Sequence, residues 1–410
     1  MTHWSAPLAA GVLDLKELGM DQGAHLLVRQ GLNQLAVGGE LAVQGTAPEL
    51  ALHLRAWCRY HGHDLKLLEP STARSAIAII TRGPADTQRW HGAERAGQSD
   101  ALVPNAVYDR PPPRWGLAPR GAMVEAGAPE FSFPLSDKNM LWADEAGRLY
   151  LEGAAAQWDP ETAVDWQASF NLADVVEDAV VQVMTFLVEN ETAALLVPAR
   201  FLAQIHPHFR EVMQLLAIQA ADEARHLEVF TRRAQLKRSQ LGLSTAGGQA
   251  SLQTLVEEPD FALAMFLLSV LGEGTFLALL AFLHKYAPDP ITATICKLAA
   301  QDEARHVAFG MAHLQRHATL DPTLCARLAA AIERRHAALQ HTAGLNNEVF
   351  DALVILGAGE LNPQAIARGH MRVMELQQQM DAGRRQRLIR LGFSSDDAMR
   401  LSALHTRNFM

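Results

Sequence analysis

The chain has 410 residues, 49% of them apolar, enough for a sizeable core in two domains or in one large domain with an appendage. Its 36 Lys and Arg against 45 Asp and Glu leave a net charge of −9 with no dominant basic stretch, so nucleic acid is not expected as a partner. Cys58, Cys296 and Cys325 are too scattered for a disulfide framework or a Cys-x-x-Cys clip, and Met1-Thr-His-Trp-Ser-Ala-Pro7 does not read as a signal peptide, so a cytoplasmic location is expected.

Three regions follow in chain order. Residues 1–84 alternate short β-like runs with helical ones: Gly11-Val-Leu-Asp-Leu15, a helix near 21–36, Glu40-Leu-Ala-Val-Gln44, a helix near 47–61, Leu65-Lys-Leu-Leu68 and Ser75-Ala-Ile-Ala-Ile-Ile80. That order predicts a small α/β domain of βαβαββ type. Residues 85–165 are rich in Pro, Gly and Trp, including Arg110-Pro-Pro-Pro-Arg114, and read as a long connector partly ordered by its aromatic residues.

Residues 166–410 keep a helical period to the end, so the fold class is mainly α. A first long helix is expected from about 169 to just before Pro198, because an interior proline lacks the N–H that continues the ladder. Pro207 marks the turn into a second helix. The stretch Leu241-Gly-Leu-Ser-Thr-Ala-Gly-Gly248 is a loop long enough to cross a bundle, and Ala287-Pro-Asp-Pro290 turns tightly between the third and fourth helices. Amphipathic segments near 322–342, 346–357 and 363–390 should pack on the bundle. Arg384-Arg-Gln-Arg387 is expected on a solvated or dimer-facing surface, in a homodimer.

The chemistry lies in a repeat. Asp222-Glu223-Ala224-Arg225-His226 recurs unchanged as Asp302-Glu303-Ala304-Arg305-His306, and each copy sets a carboxylate and an imidazole three residues apart on one helical face, able to grip one ion together. A dinuclear bundle site takes two such pairs plus one Glu from each of two other helices. Glu273 is the only charge in the apolar run 261–283, and Glu191 shares a face with Val180, Met184, Leu187, Val188 and Leu195. Burying Glu273 alone would cost several kcal/mol, so a cation is its expected companion, and its charge argues for a buried bundle helix against a membrane span. By helical spacing Met184, Leu187, Gln219, Phe266, Ser269, Val270, Phe276, Leu277 and Cys296 should lie around these ligands and line a substrate pocket.

On these residues the region 166–315 resembles the ferritin-like diiron-carboxylate proteins, specifically the oxygen-activating branch with Asp-Glu-x-Arg-His on two helices. The resemblance implies a ferritin-like four-helix bundle with Glu191, Glu223, His226, Glu273, Glu303 and His306 as iron ligands, Glu223 and Glu303 bridging. It implies that Asp222, Arg225, Asp302 and Arg305 orient the ligating imidazoles. The extra histidine of the arylamine N-oxygenases, four residues before the last ligand Glu, is replaced here by Ala299. The amino-terminal domain resembles the TusA-type sulfur carriers, but where they hold a reactive Cys in a Cys-Pro-x-Pro turn this chain reads Gly19-Met-Asp-Gln-Gly23. Docking or dimerisation is the expectation there, not sulfur transfer.

Four carboxylates and two imidazoles suit two iron ions, with manganese as the alternative, and lack the thiolates of structural zinc. The expected activity is that of a nonheme diiron oxidase or monooxygenase. It would use dioxygen as co-substrate, oxidise a small-molecule substrate, and draw electrons from an external donor, a ferredoxin or a reductase. A rubrerythrin-like peroxidase, a dimanganese catalase and a non-catalytic iron-binding protein are the alternatives.

Overall fold

A computed structural model describes residues 12–68, 77–84, 92–339 and 347–404. The readings that rest on residues 1–11, 75–76 and 340–346 lie outside these. The chain divides into two compact units, one running up to Ala96 and including Gly121–Ala128, the other formed by Gly97–Arg120 and the chain from Pro129 onward.

The first unit has the expected element order: β1 (Val12–Asp14), α1 (Ala24–Asn33), β2 (Glu40–Gln44), α2 (Leu50–His61), β3 (Asp64–Leu67) and β4 (Ala78–Thr81). The sheet order is β1-β2-β4-β3, with β1 and β2 parallel through the α1 crossover and β4 antiparallel to both its neighbours. Alternation in β2 turns Leu41 and Val43 inward, where they meet Val28 and Leu32 of α1 and Leu54 and Cys58 of α2. Burial pushes the Cys58 thiol up to about 11, so it is a core side chain and not a reactive thiolate. At Gly19–Gly23 a short helical turn leads into α1 through Gly23, whose φ of +107° is open to glycine at no steric cost.

The second unit is helical. Its core is four long helices: α3 (Asp174–Leu202), α4 (Arg210–Gln235), the composite α5 (Phe261–Tyr286) and α6 (Pro290–Leu320). Both α3 and α5 are long and apolar enough to cross a membrane by composition, yet most of each is buried inside this unit. Pro198 does not end α3. The helix continues four residues past it, because Val197 and Phe201 are each buried to 1% exposure and Arg200 donates to the carbonyls of Val256 and Glu258, which together offset the lost backbone bond. Across the turn into α4 the Leu135 N–H donates to the Gln204 carbonyl and the His206 N–H donates to the Leu135 carbonyl.

The crossing segment is also more ordered than a loop: Thr245 caps a helix, α7 (Ala246–Val256), before Asp260 caps α5. Asp289 and Pro290 start α6 as the cap and first residue of a helix should. The C-terminal segments form α8 (Leu324–Leu339), α9 (Asn347–Ala358), α10 (Pro363–Arg390) and α11 (Ser395–Ala403). Arg384 and Arg387 are not surface charges. Arg384 is 8% exposed, and Arg387 donates from Nε to the Val270 carbonyl of α5 at 2.7 Å.

The Pro-rich stretch read as a connector contributes a β-pair (Glu94–Arg95 with Met123–Val124) to the first unit. To the second it gives the short helices Lys138–Leu141, Ala146–Ala155 and Pro160–Ala163. Leu141, Ala146 and Leu149 are core residues of the helical unit. Proline and glycine density concealed them, since the apolar positions come in runs too short to show a helical period.

Candidate metal centre

Glu191 on α3, Glu223 and His226 on α4, Glu273 on α5, and Glu303 and His306 on α6 converge in the middle of the bundle, none more than 4% exposed. Their ligand atoms form two overlapping groups, Glu191/Glu223/His226/Glu303 and Glu223/Glu273/Glu303/His306, with the atoms of each group within 4.8 Å of one another. Glu223 and Glu303 belong to both. The arrangement is therefore two candidate ion sites that share two carboxylates, each completed by one further Glu and one His.

The two rings are turned in a specific way. Nε2 of His226 lies 3.2 Å from Asp302, and Nε2 of His306 lies 3.1 Å from Asp222. Each copy of the repeat thus supplies the aspartate that holds the other copy's histidine. Because the acceptor at Nε2 draws the ring proton there, Nδ1 is left to face the carboxylates: 3.3 Å from Glu223 and 3.5 Å from Glu191 for His226, 3.0 Å from Glu223 and 3.5 Å from Glu303 for His306. With both rings neutral, acceptors then point at acceptors. Oxygen atoms of Glu191, Glu223, Glu273 and Glu303 and Nδ1 of His306 are buried without a hydrogen-bond partner. Cations are the groups that would satisfy all of them at once, and two divalent ions would balance the four carboxylates.

The same crowding appears in the titration. Burial and the charge of Glu223 push Glu191 up to about 8, and burial and Glu303 hold Glu273 well above the ordinary carboxylate range. Burial alone would lower the two imidazoles, but the bonds His226 donates to Asp302, Glu191 and Glu223, and for His306 the charge of Glu223 with the bond it donates to Asp222, outweigh it and hold both well above their usual values, so that without cations a proton on Nδ1 would fill the place an ion takes.

Around the rings the charges close among themselves. Arg225 bonds Asp222 at 2.5 Å and Asp302 at 3.0 Å, and Arg305 bonds both aspartates from the other side. Two guanidinium groups thus neutralise two carboxylates. Gln157 and Trp158, from the Pro-rich segment, complete this layer: Gln157 donates to Asp222 and Trp158 Nε1 to Asp302, each at 2.8 Å, and the Trp158 ring stacks under Arg225 and beside His226. No helical period pointed to them, because they lie in the turn between two short helices.

On the opposite side a narrow cavity of about 20 Å³ touches Glu191, Glu273 and Glu303 but neither histidine. Its walls come from Ala194, Leu255, Leu267, Leu268, Gly272 and Phe276, with Asn190 and Arg335 as the polar contributions. Of the residues expected near the centre, Phe276 is on this wall and Gln219 donates to Glu273 Oε1 at 2.9 Å. Met184, Leu187, Phe266, Ser269, Val270 and Cys296 are buried in the core outside the wall, and Leu277 is only half-buried.

For Ser269 and Val270 the reason is local. From Phe266 to Glu273 the helix α5 is a π-helix, with five-residue hydrogen bonding in place of four. Counting back from Glu273, the cavity-facing residues shift from the α-spaced Ser269 and Val270 to Leu267 and Leu268. Gly310 of α6 makes room for the widened coil, since a Cβ there would sit 2.5 Å from Cβ of Ser269. Gly274 does the same for Arg387, whose guanidinium a Cβ would also meet at 2.5 Å.

No protein-family model and no curated protein matches the chain. Among solved structures it is similar to a tyrosine-to-phenylalanine variant of R2-like ligand-binding oxidase with an aerobically reconstituted Mn/Fe cofactor, at 18% identity over 58% of this chain and 93% of that one, TM-score 0.44. A valine-to-isoleucine variant of the same oxidase matches at 17% identity over 65% and 96%, TM-score 0.42. A protein with aldehyde deformylating oxidase activity from Synechococcus matches at 18% identity over 56% and 96%, TM-score 0.39. At such scores no shared activity follows.

Proposed function

We propose that this chain is a nonheme dinuclear iron oxidoreductase that uses dioxygen to oxidise a small organic substrate. The observation that carries the proposal is the set of buried, mutually facing acceptor atoms shared between two groups of ligands. Hard oxygen and imidazole donors without thiolate favour iron, with manganese as the alternative. When bound, the pair of ions would supply two electrons to dioxygen, and an external donor would restore them.

The protein's own residues define the setting of that chemistry. Glu191 with His226 and Glu273 with His306 would each hold one ion, with Glu223 and Glu303 spanning both. Asp302 and Asp222 keep the imidazole protons on Nε2 and the rings in line. Gln219 donates to Oε1 of Glu273, while Oε2 is buried without a hydrogen-bond partner. The Asp–Arg layer and Trp158 close the histidine side, so substrate would approach from the cavity side, where Leu267, Leu268 and Phe276 exclude bulk water.

Anaerobic reconstitution with ferrous iron should load about two ions per chain, and exposure to oxygen should then consume oxygen with a transient absorbance. Binding of zinc in preference, or of no metal, would sink the reading. Rapid turnover of hydrogen peroxide with no organic product would replace it with a peroxidase or catalase.

A further inference from the structure

Arg335 is a buried cation that the metal centre does not use. It lies on α8, 9% exposed, and its Nη2 donates to Ser251 Oγ of α7 at 2.7 Å. Among the described residues no carboxylate pairs with it, neither the ligands across the cavity nor any outer acid. Burial pulls its pKa down to about 10, so it keeps its charge at neutral pH. Such a charge without a counterion is unfavourable in a protein interior, and Arg233, fully buried in the same unit, is met by two carboxylates.

The position of this cation is informative. Arg335 lines the same cavity as Glu191, Glu273 and Glu303, and with Asn190 it is the polar part of an otherwise apolar wall. On that wall Asn190 Oδ1 is buried without a partner, while its Nδ2 donates to the Phe186 carbonyl.

We propose that Arg335 is the anchor for a substrate carboxylate, held so that the apolar remainder of the molecule lies along Leu255, Leu267, Leu268 and Phe276 toward the ion ligands. This rests on the oxidase reading and names its substrate class: a small organic acid. A planar guanidinium matches a carboxylate in two parallel hydrogen bonds. One cation in a narrow site balances a monoanion, whereas a phosphate would bring nearly twice the charge. The cavity holds about one water as it stands, so binding an acid of several carbons turns the leucine side chains to other rotamers.

The test is calorimetric binding of benzoate and hexanoate, each against its uncharged amide, to iron-loaded protein whose metal content is measured separately. Wild type should bind at least one acid about tenfold or more tighter than its amide. Arg335→Met should abolish that preference while melting no lower, since it removes an unpaired buried charge, and Arg335→Lys should restore part of it. An acid preference that survives in Arg335→Met, or its absence in wild type, overturns the proposal. A preference that survives in Arg335→Met but vanishes when iron is removed identifies the metal as the anchor and equally overturns it. Arg335-dependent acid binding by a chain that takes up no iron would retain the anion site and defeat the oxidase reading alone.

Discussion

Two clusters of buried charge in the helical unit are built in opposite ways. Around Arg233, Glu177 receives two donors at 2.6 and 3.1 Å, Asp289 receives Nη2 at 2.8 Å, and the Thr292 hydroxyl accepts from Nε at 2.9 Å. Every guanidinium nitrogen there has an acceptor, and the carboxylates come from α3 and from the cap of α6, so the cluster ties three helices together. Around Glu223 and Glu303, acceptors face acceptors and five polar atoms have no partner. The first cluster is finished as protein, whereas the second is finished only by something the protein binds. Completeness of hydrogen bonding therefore separates a structural polar cluster from a functional one, even at equal burial.

Removing a shared ligand should break the contrast most sharply. Glu223→Ala should lower bound iron from about two per chain to near zero, and Glu273→Ala from about two to about one, by elemental analysis of reconstituted protein. Retention of both ions in Glu273→Ala would mean that this carboxylate is not a ligand. Next in size, Arg233→Met should cost about 3–5 kcal/mol in denaturant unfolding, because it leaves Glu177 and Asp289 buried without their cation. Iron per folded chain should not change. If iron falls with stability, the two clusters are not independent.

A smaller effect is expected one layer out. Asp302→Asn keeps the size of the group that holds His226 but removes its charge, and should weaken metal binding by about 10–100-fold in competition with a chelator. Unchanged affinity would show that the histidine needs no orienting partner.

The smallest effect concerns pH and avoids the centre. His313 is fully buried among Phe261 and Phe309, and burial with its neighbour His317 lowers its pKa to about 3, while burial and Arg120 lower His208 to about 4. Both rings stay neutral when folded and bind protons when unfolded, so their contribution is whole above the unfolded value near 6.5 and is lost as pH falls toward 4 and 3. Each should contribute a slope of up to about 1.4 kcal/mol per pH unit in that window. His313→Leu should flatten the acid limb of a stability–pH curve, and an unchanged limb would show that this ring does not titrate on unfolding.

The gathering of the six ligand side chains was legible because the repeat and two lone glutamates in apolar helices are periodic signals, and periodicity survives folding. On α5 the cavity wall was not, for a physical reason: the expectation for Ser269 and Val270 counted α-helical turns back from Glu273, and the stretch from Phe266 to Glu273 is π-helical. Gln157 and Trp158 sit in a turn and carry no period at all. Pro198 misled because local backbone cost was weighed without the burial of Val197 and Phe201 that opposes it. Arg335 did leave a trace: it falls four residues after Ala331 and four before Leu339, on the apolar face of its helix, where a charge is out of place.

The exchange of aspartates between the two pentapeptides has a further consequence. Since Asp222 serves the histidine of the other repeat, and Asp302 does likewise, damage to either copy is felt at both ion positions. The halves cannot drift apart one at a time, so a chain that abandoned the chemistry in one repeat would be left with no working half in the other.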